Sequence, residues 1–461
     1  MSAAARSLEV PASAPKPGPD FLLGGIQVNE PSHRQWASAL IDEGMNAVQV
    51  TVYARQADWD SGWLWSTGNE RWVLSEVREA RAAGLQVVLV LRLALDHWWE
   101  NNRHLWHGMV MPRRDEEVRA WFENYREFVL HWACLAEREG IALVALGSEL
   151  SQMSSTAPVA GLPELEAFYL NEEKRDENLR RLLRHECEID PHLLRGSWDE
   201  PFEDFTTFLL DREEAYTEWA RQVSFFDEAD TVATLRRING RRALLEERWV
   251  SLVEEVREVY SGRLTYAANF DQYRAVSFWS VFDCVGINAY FPLRQFPVEA
   301  GEISASYEEM VESWAAVWDD FEEFLETNGI PNHRAIFLEL GYTSRLNSTL
   351  QPWAAGGFAL VGEWHEPELL VWENRPEEPG ERALAVRALH EALSNRPSRP
   401  LDGLLWWKLS TVPEHRRIEP FVLVIGPKAP ADPLRDALRG FREWIPAREM
   451  ERVAILERAG R

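Results

Sequence analysis

Short apolar runs alternate with amphipathic stretches along most of the chain. The runs are Leu22–Val28, Ala47–Tyr53, Gln86–Leu93 and Ala142–Gly147, then Leu264–Ala268, Cys284–Ala289, Ala335–Leu340 and Gly403–Leu409. Each is too short for a buried helix and is bounded by Gly, Asn or charged residues, which predicts strands. The clearest helix is predicted over Asp115–Glu139, where Val118, Trp121, Phe122, Tyr125, Phe128, Val129, Trp132 and Leu135 recur at spacings of three and four. Eight strands alternating with helices suit a (β/α)8 TIM barrel or a doubly wound open sheet, and the number eight favours the barrel.

One interval breaks the rhythm. Strand four ends near Gly147 and strand five does not begin until about Leu264, more chain than a single crossover helix uses. Residues 152–242 are therefore expected to form a large, mostly helical insertion at the C-terminal rim of the barrel, where active sites of this architecture sit. It is expected to act as a lid, to dock a protein partner, or to decorate the surface without a role. The domain division expected is a Pro/Ala-rich leader at 1–20, the barrel with its insertion at 21–445, and a charged terminal helix or tail at 446–461.

Charge narrows the partners. The 461 residues carry 49 Lys and Arg against 75 Asp and Glu, a formal net charge of −26. Such a surface repels a phosphate backbone or an anionic membrane, so neither nucleic acid nor membrane is an expected partner. No apolar run approaches the ~18 residues of a spanning helix. The first residues hold Arg6 but no apolar core of the kind a secretory signal needs. Cys134, Cys187 and Cys284 are widely spaced without a CxxC pair, which fits a reducing, cytoplasmic setting better than a disulfide framework. Asp96, His97, His104 and His107 cluster in sequence but match no standard zinc spacing, and neither a metal nor a cofactor is expected.

The chain holds no GxSxG elbow, no phosphate-binding Gly loop, no HExxH and no GxGxxG after a strand. Carboxylate chemistry remains. Glu149 follows strand four in ALGSELSQM and Glu339 closes strand seven in AIFLELGYTS, so both are expected in the cup formed by the βα loops. A carboxylate inside or just after an apolar strand is costly to desolvate, and is rarely placed there without a partner or a task. Two of them across a barrel mouth suit glycoside hydrolysis. On spacing alone they suit a pair of rim salt bridges equally well.

A resemblance separates these alternatives. LTYAANFDQYRAVSFWSVFDCVGINAYFPL, at 264–293, closely resembles the strand five to strand six region of glycoside hydrolase family 113, a β-mannanase family of the retaining clan A. Further matches are ALGSEL at 145–150, ELGY at 339–342 with Pro352-Trp353, DGLLWWK at 402–408 and GPKAPADPLRDALRGF at 426–441. The resemblance implies a TIM barrel with Glu149 as acid/base, its pKa the raised one of the pair, and Glu339 as nucleophile. It implies that the Tyr290 hydroxyl holds the nucleophile. The substrate would be a β-linked, mannan-type oligo- or polysaccharide, contacted by Asp96, Trp106 and Tyr290. By position Trp406 and Trp407 in strand eight are expected to add stacking faces, and Asn269 after strand five to reach a sugar hydroxyl or, equally, to cap a helix or close a turn. Because successive strand residues point to opposite sides, one of Trp406 and Trp407 is expected to face the site and the other to pack against helices. Trp63, Trp65, Trp98 and Trp99 also fall where a sugar chain would pass.

The chain departs from the family where strand three ends. The family commonly carries a Lys-Pro-His motif followed by Trp-Arg-Gly, and this chain reads Arg92-Leu93-Ala94-Leu95-Asp96 and then Trp106-His107-Gly108. Ser148 stands where many clan members place an Asn. These departures leave open another β-glycan specificity within the clan, or a non-catalytic carbohydrate-binding or scaffold barrel.

Overall fold

A computed structural model describes residues 21–183, 205–223, 230–299, 301–353, 359–363, 366–370, 376–417 and 419–445. The expected leader and terminal tail lie outside the described residues.

Eight parallel strands close a barrel: β1 Leu22–Gln27, β2 Ala47–Gln56, β3 Gln86–Leu95, β4 Leu143–Ser148, β5 Arg263–Asn269, β6 Val285–Ala289, β7 Ala335–Leu340 and β8 Leu401–Ser410. Each pairs in parallel with the next, and β8 returns to β1 with Leu22 opposite Gly403. The closed barrel expected from the eight apolar runs is therefore the observed fold, and the open sheet is excluded. Gly24 is needed at the seam between β1 and β2, because a Cβ there would lie 2.0 Å from the carbonyl oxygen of Ala47. β2 runs three residues past its expected end at Tyr53, where Ala54–Gln56 pair in parallel with Leu93–Leu95 of β3 and antiparallel with Leu64–Ser66.

The barrel interior is filled by Leu22, Ala47, Val88, Val90, Leu143, Ala145, Ala267, Cys284, Ile336, Leu338 and Leu405. A larger core lies between strands and outer helices. The helix Asp115–Glu139 forms as its periodicity predicts. Three acids in its first turn favour the positive end of the helix dipole, and Gly140, at φ 61°, ends it in the left-handed region. Its predicted apolar face is buried.

Between β4 and β5 the described chain is helical, at Ser151–Ser154, Glu164–Tyr169, Glu172–Leu183, Phe205–Val223 and Thr231–Val259. The last is one unbroken helix that passes residue 242 and becomes the crossover to β5. Its Trp249, Leu252, Val253 and Val256 are buried, and Trp249 meets Phe122 and Tyr125 of the helix Asp115–Glu139. No helix among the described residues is long and apolar enough to cross a membrane.

Candidate active site

Further along β3, β6 and β7 than the apolar interior stand Arg92, Asn288 and Glu339, all buried. Glu149 stands immediately after β4 in an unusual backbone state, with φ 56°, the left-handed region that non-Gly residues rarely enter. Two hydrogen bonds hold this turn: Glu149 N–H donates to Ala267 O at 2.8 Å, and Leu150 N–H donates to the Tyr266 hydroxyl oxygen at 2.8 Å. Backbone strain kept by its surroundings in this way is characteristic of functional positions.

The Glu149 carboxylate is 13% exposed and lies 3.0 Å from His107 Nε2. Burial pushes its pKa up, but the His107 hydrogen bond, the Arg92 and His107 charges and a hydrogen bond from Asn288 outweigh burial and pull it down to about 2. The expectation that Glu149 carries a raised pKa is thus corrected for the free protein. The reason is that the two basic side chains converge on it.

Glu339, 2% exposed, accepts a hydrogen bond from the Tyr290 hydroxyl at 2.7 Å and pairs with the Arg92 guanidinium. Burial, reinforced by the charge on Glu149, pushes the Tyr290 hydroxyl well above its ordinary value, so it remains a donor. The two carboxylates thus share neighbours. Arg92 binds Glu339 and acts electrostatically on Glu149, while Tyr290 binds Glu339 and senses the charge of Glu149. Two carboxyl groups, one ordered by a phenol and a guanidinium and one by an imidazole, can supply a nucleophile and a proton-transfer group to one substrate.

Around this pair the predicted residues divide. Trp407 is half-buried, with Arg92 5.1 Å and Lys408 Nζ 4.2 Å from its ring centroid. Trp406 is corrected: it is fully buried on the helix side, its indole N–H donating to Phe421 O at 3.2 Å, so it cannot reach a ligand. Trp106 meets His107 edge-on at 5.3 Å, and Gly108 leaves room for its ring, since a Cβ there would lie 2.2 Å from it. Asn269 ends β5 half-buried, its carbonyl accepting from Gln272 N–H at 2.9 Å. Asp96 closes the turn after β3, its carboxylate accepting from Trp98 N–H at 3.1 Å.

At the rim, Trp63, 60% exposed, lies 5.5 Å from Trp65 and 6.3 Å from Trp99, and Trp353 stacks on Phe270 at 5.3 Å. The clustered histidines do not converge: His107 turns to Glu149, as above. His97 Nε2 lies 3.3 Å from Leu105 O, and burial, aided by Arg103, lowers His104 to about 4. Among the described residues no group of three His, Cys, Asp or Glu side chains could hold a metal ion.

Sequence reasoning missed three residues as site members. Arg92 and His107 stand where the family pattern is broken, and they contact the two glutamates directly. Their basic character was the available signal. Asn288, in the sequence GINAY, donates to Ser148 Oγ at 3.4 Å and keeps a buried Oδ1 without a hydrogen-bond partner among the described residues.

The family model of Glycoside Hydrolase Family 113 matches residues 30–158 and 190–369. No curated protein matches the chain. Among solved structures, the chain is similar to the family 113 β-mannanase AaManA from Alicyclobacillus acidocaldarius in complex with ManMIm, at TM-score 0.55 and 16% identity, covering 94% of this chain and 100% of that one. A family 113 β-1,4-mannanase in a complex structure gives TM-score 0.55 at 15% identity, covering 92% and 99%. At these identities the two structures support the fold.

Proposed function

Because the chain belongs to Glycoside Hydrolase Family 113, we propose that it is a retaining hydrolase of β-linked, mannan-type oligo- or polysaccharides. The observation that carries the reading is the pair of glutamates at the ends of β4 and β7, ordered by His107 on one side and by Tyr290 and Arg92 on the other.

In this reading Glu339 attacks the anomeric carbon while the glycosidic oxygen takes a proton from Glu149 and leaves. A covalent glycosyl ester on Glu339 results. Glu149, now a carboxylate, removes a proton from water, whose oxygen attacks the same carbon and releases Glu339. Arg92 and Tyr290 hold Glu339 in place. Glu149 is a carboxylate in the free protein, so its first role needs a proton on substrate binding. A sugar covering it strengthens desolvation, the effect that already acts upward on it. Trp407 offers a face for the sugar at the cleavage point, and the Asn288 Oδ1 an acceptor for a hydroxyl.

The altered strand-three end favours a second reading in which the hexose differs from mannose, because Ala94 stands where the family pattern has a His and His107 where it has an Arg. Reducing-sugar release from β-mannan, glucomannan, cellulosic and xylan oligosaccharides tests both. Release that disappears in Glu339→Ala supports the hydrolase and identifies the sugar. No release from any of them by the folded protein would move the reading to a non-catalytic barrel.

A further inference from the structure

His107 reaches Glu149 from the connection between β3 and the helix Asp115–Glu139, where the described structure is limited to short turns at Glu100–Asn102 and His107–Met109. Such a segment has no ladder to fix it, yet a 3.0 Å contact between an imidazole and a carboxylate requires a fixed position. The loop after β2 ties part of it, Met111 N–H donating to Trp59 O and Trp59 N–H to Asn102 Oδ1, both at 2.9 Å, and the insertion adds further ties. Trp219, on the helix Phe205–Val223, is 2% exposed, and its indole N–H donates at 2.9 Å to the carbonyl of Met109, the last residue of the turn that begins at His107. Arg241, on the helix Thr231–Val259, is 6% exposed. Its Nη1 donates to Pro112 O at 2.6 Å, and its Nη2 lies 3.8 Å from Met153 Sδ, four residues after Glu149. From the same helix Trp249 donates to Met153 O at 2.8 Å.

We propose that Trp219 and Arg241 are positioning residues, through which the insertion holds the His107 loop and the Glu149 loop in register with each other. This rests on the reading of Glu149 as the proton-transfer group. A buried guanidinium is expensive unless its hydrogen bonds are met, and burial holds Arg241 below its ordinary value, at about 10. Here that guanidinium touches both loops through its two terminal nitrogens. The insertion is accordingly a brace that acts on the site from behind.

The test uses the full chain labelled at histidine Cε1, with the His107 signal among the 11 histidines identified by its loss in His107→Gln. Glu149→Gln gives the position of that signal when the carboxylate contact is broken. In Trp219→Phe and Arg241→Met, which keep side-chain bulk and lose the donors, the His107 signal is expected to move toward the Glu149→Gln position. On any glycan the protein cleaves, kcat is expected to fall ~10-fold or more with KM within about twofold, since misplacement of a reacting group costs turnover more than binding. A His107 signal unmoved in the folded variants would overturn the proposal, even if their melting temperatures drop. Should Arg241→Met fail to fold, Trp219→Phe decides. The resonance needs no substrate, so a moved signal in a protein that hydrolyses nothing would refute the hydrolase and leave the brace standing.

Discussion

Trp406 and Trp407 are adjacent in β8 and face opposite sides of the barrel wall. Trp406 is sealed against the carbonyl of Phe421, and Trp407 lies under the guanidinium that pairs with Glu339. The two should therefore fail in different assays. Trp406→Ala is expected to cost about 3–5 kcal/mol of stability, as for other large aromatic deletions in cores. Trp407→Ala should leave the melting temperature nearly unchanged and lower kcat/KM. Urea unfolding and kinetics on the same two variants check this, and exchanged phenotypes would show that the assignment of faces is wrong.

Tyr290 contributes a charge-assisted hydrogen bond to Glu339, a contact of the class worth roughly 1.5–3 kcal/mol. Tyr290→Phe keeps the ring and removes the donor, so kcat/KM should drop by about 10- to 100-fold. Glu149→Gln should fall further, by roughly 10²- to 10⁴-fold, the usual worth of a positioned acid or base. Equal rates for Tyr290→Phe and the parent would mean that Glu339 is ordered by Arg92 alone.

Glu149 links the site to acid stability. Its folded value of about 2 lies below the ordinary 4.5, because His107, Arg92 and Asn288 outweigh burial. A depressed carboxylate stabilises the fold in full above the unfolded value, and that contribution is lost as pH falls from 4.5 through about 2. Its size is on the order of 3 kcal/mol. His107→Gln removes the principal opposing partner, so it should lower stability near pH 6 and flatten the decline between pH 4.5 and 2. Denaturant titrations across that window measure the slope, and parallel curves would contradict the linkage.

Glu76 predicts the reverse slope. It is 5% exposed on the helix Glu70–Ala82, and burial, assisted by the charge of Glu30 and opposed by a hydrogen bond from Gln27, raises it to about 7. A raised carboxyl favours the fold below its unfolded value near 4.5, and that advantage is lost as pH rises through about 7. Glu76→Gln, neutral at every pH, should match the parent near pH 5 and exceed it in melting temperature at pH 8. Identical melting temperatures at pH 8 would place Glu76 in contact with water or a cation.

Much of this molecule is written locally. The apolar runs and the three- and four-residue spacings within the helix Asp115–Glu139 report which backbone state each segment takes, since burial of one face acts over a few neighbouring residues. Glu149 and Glu339 were visible for the same reason: a carboxylate at the end of an apolar strand stands out within ten residues of sequence. That one of Trp406 and Trp407 faces inward followed from strand alternation. Which one does so depends on register shifts of β8 against β7 around Leu404, and these exist only once the strands are paired. The partners of the two glutamates needed closure as well. Arg92 meets Glu339, His107 meets Glu149, and Trp219 of the helix Phe205–Val223 meets Met109, contacts between residues 42 to 247 positions apart. No periodicity encodes such pairs. They are set by where the closed barrel and the helices packed between β4 and β5 bring side chains, and by the electrostatic cost of burying a carboxylate without a base beside it.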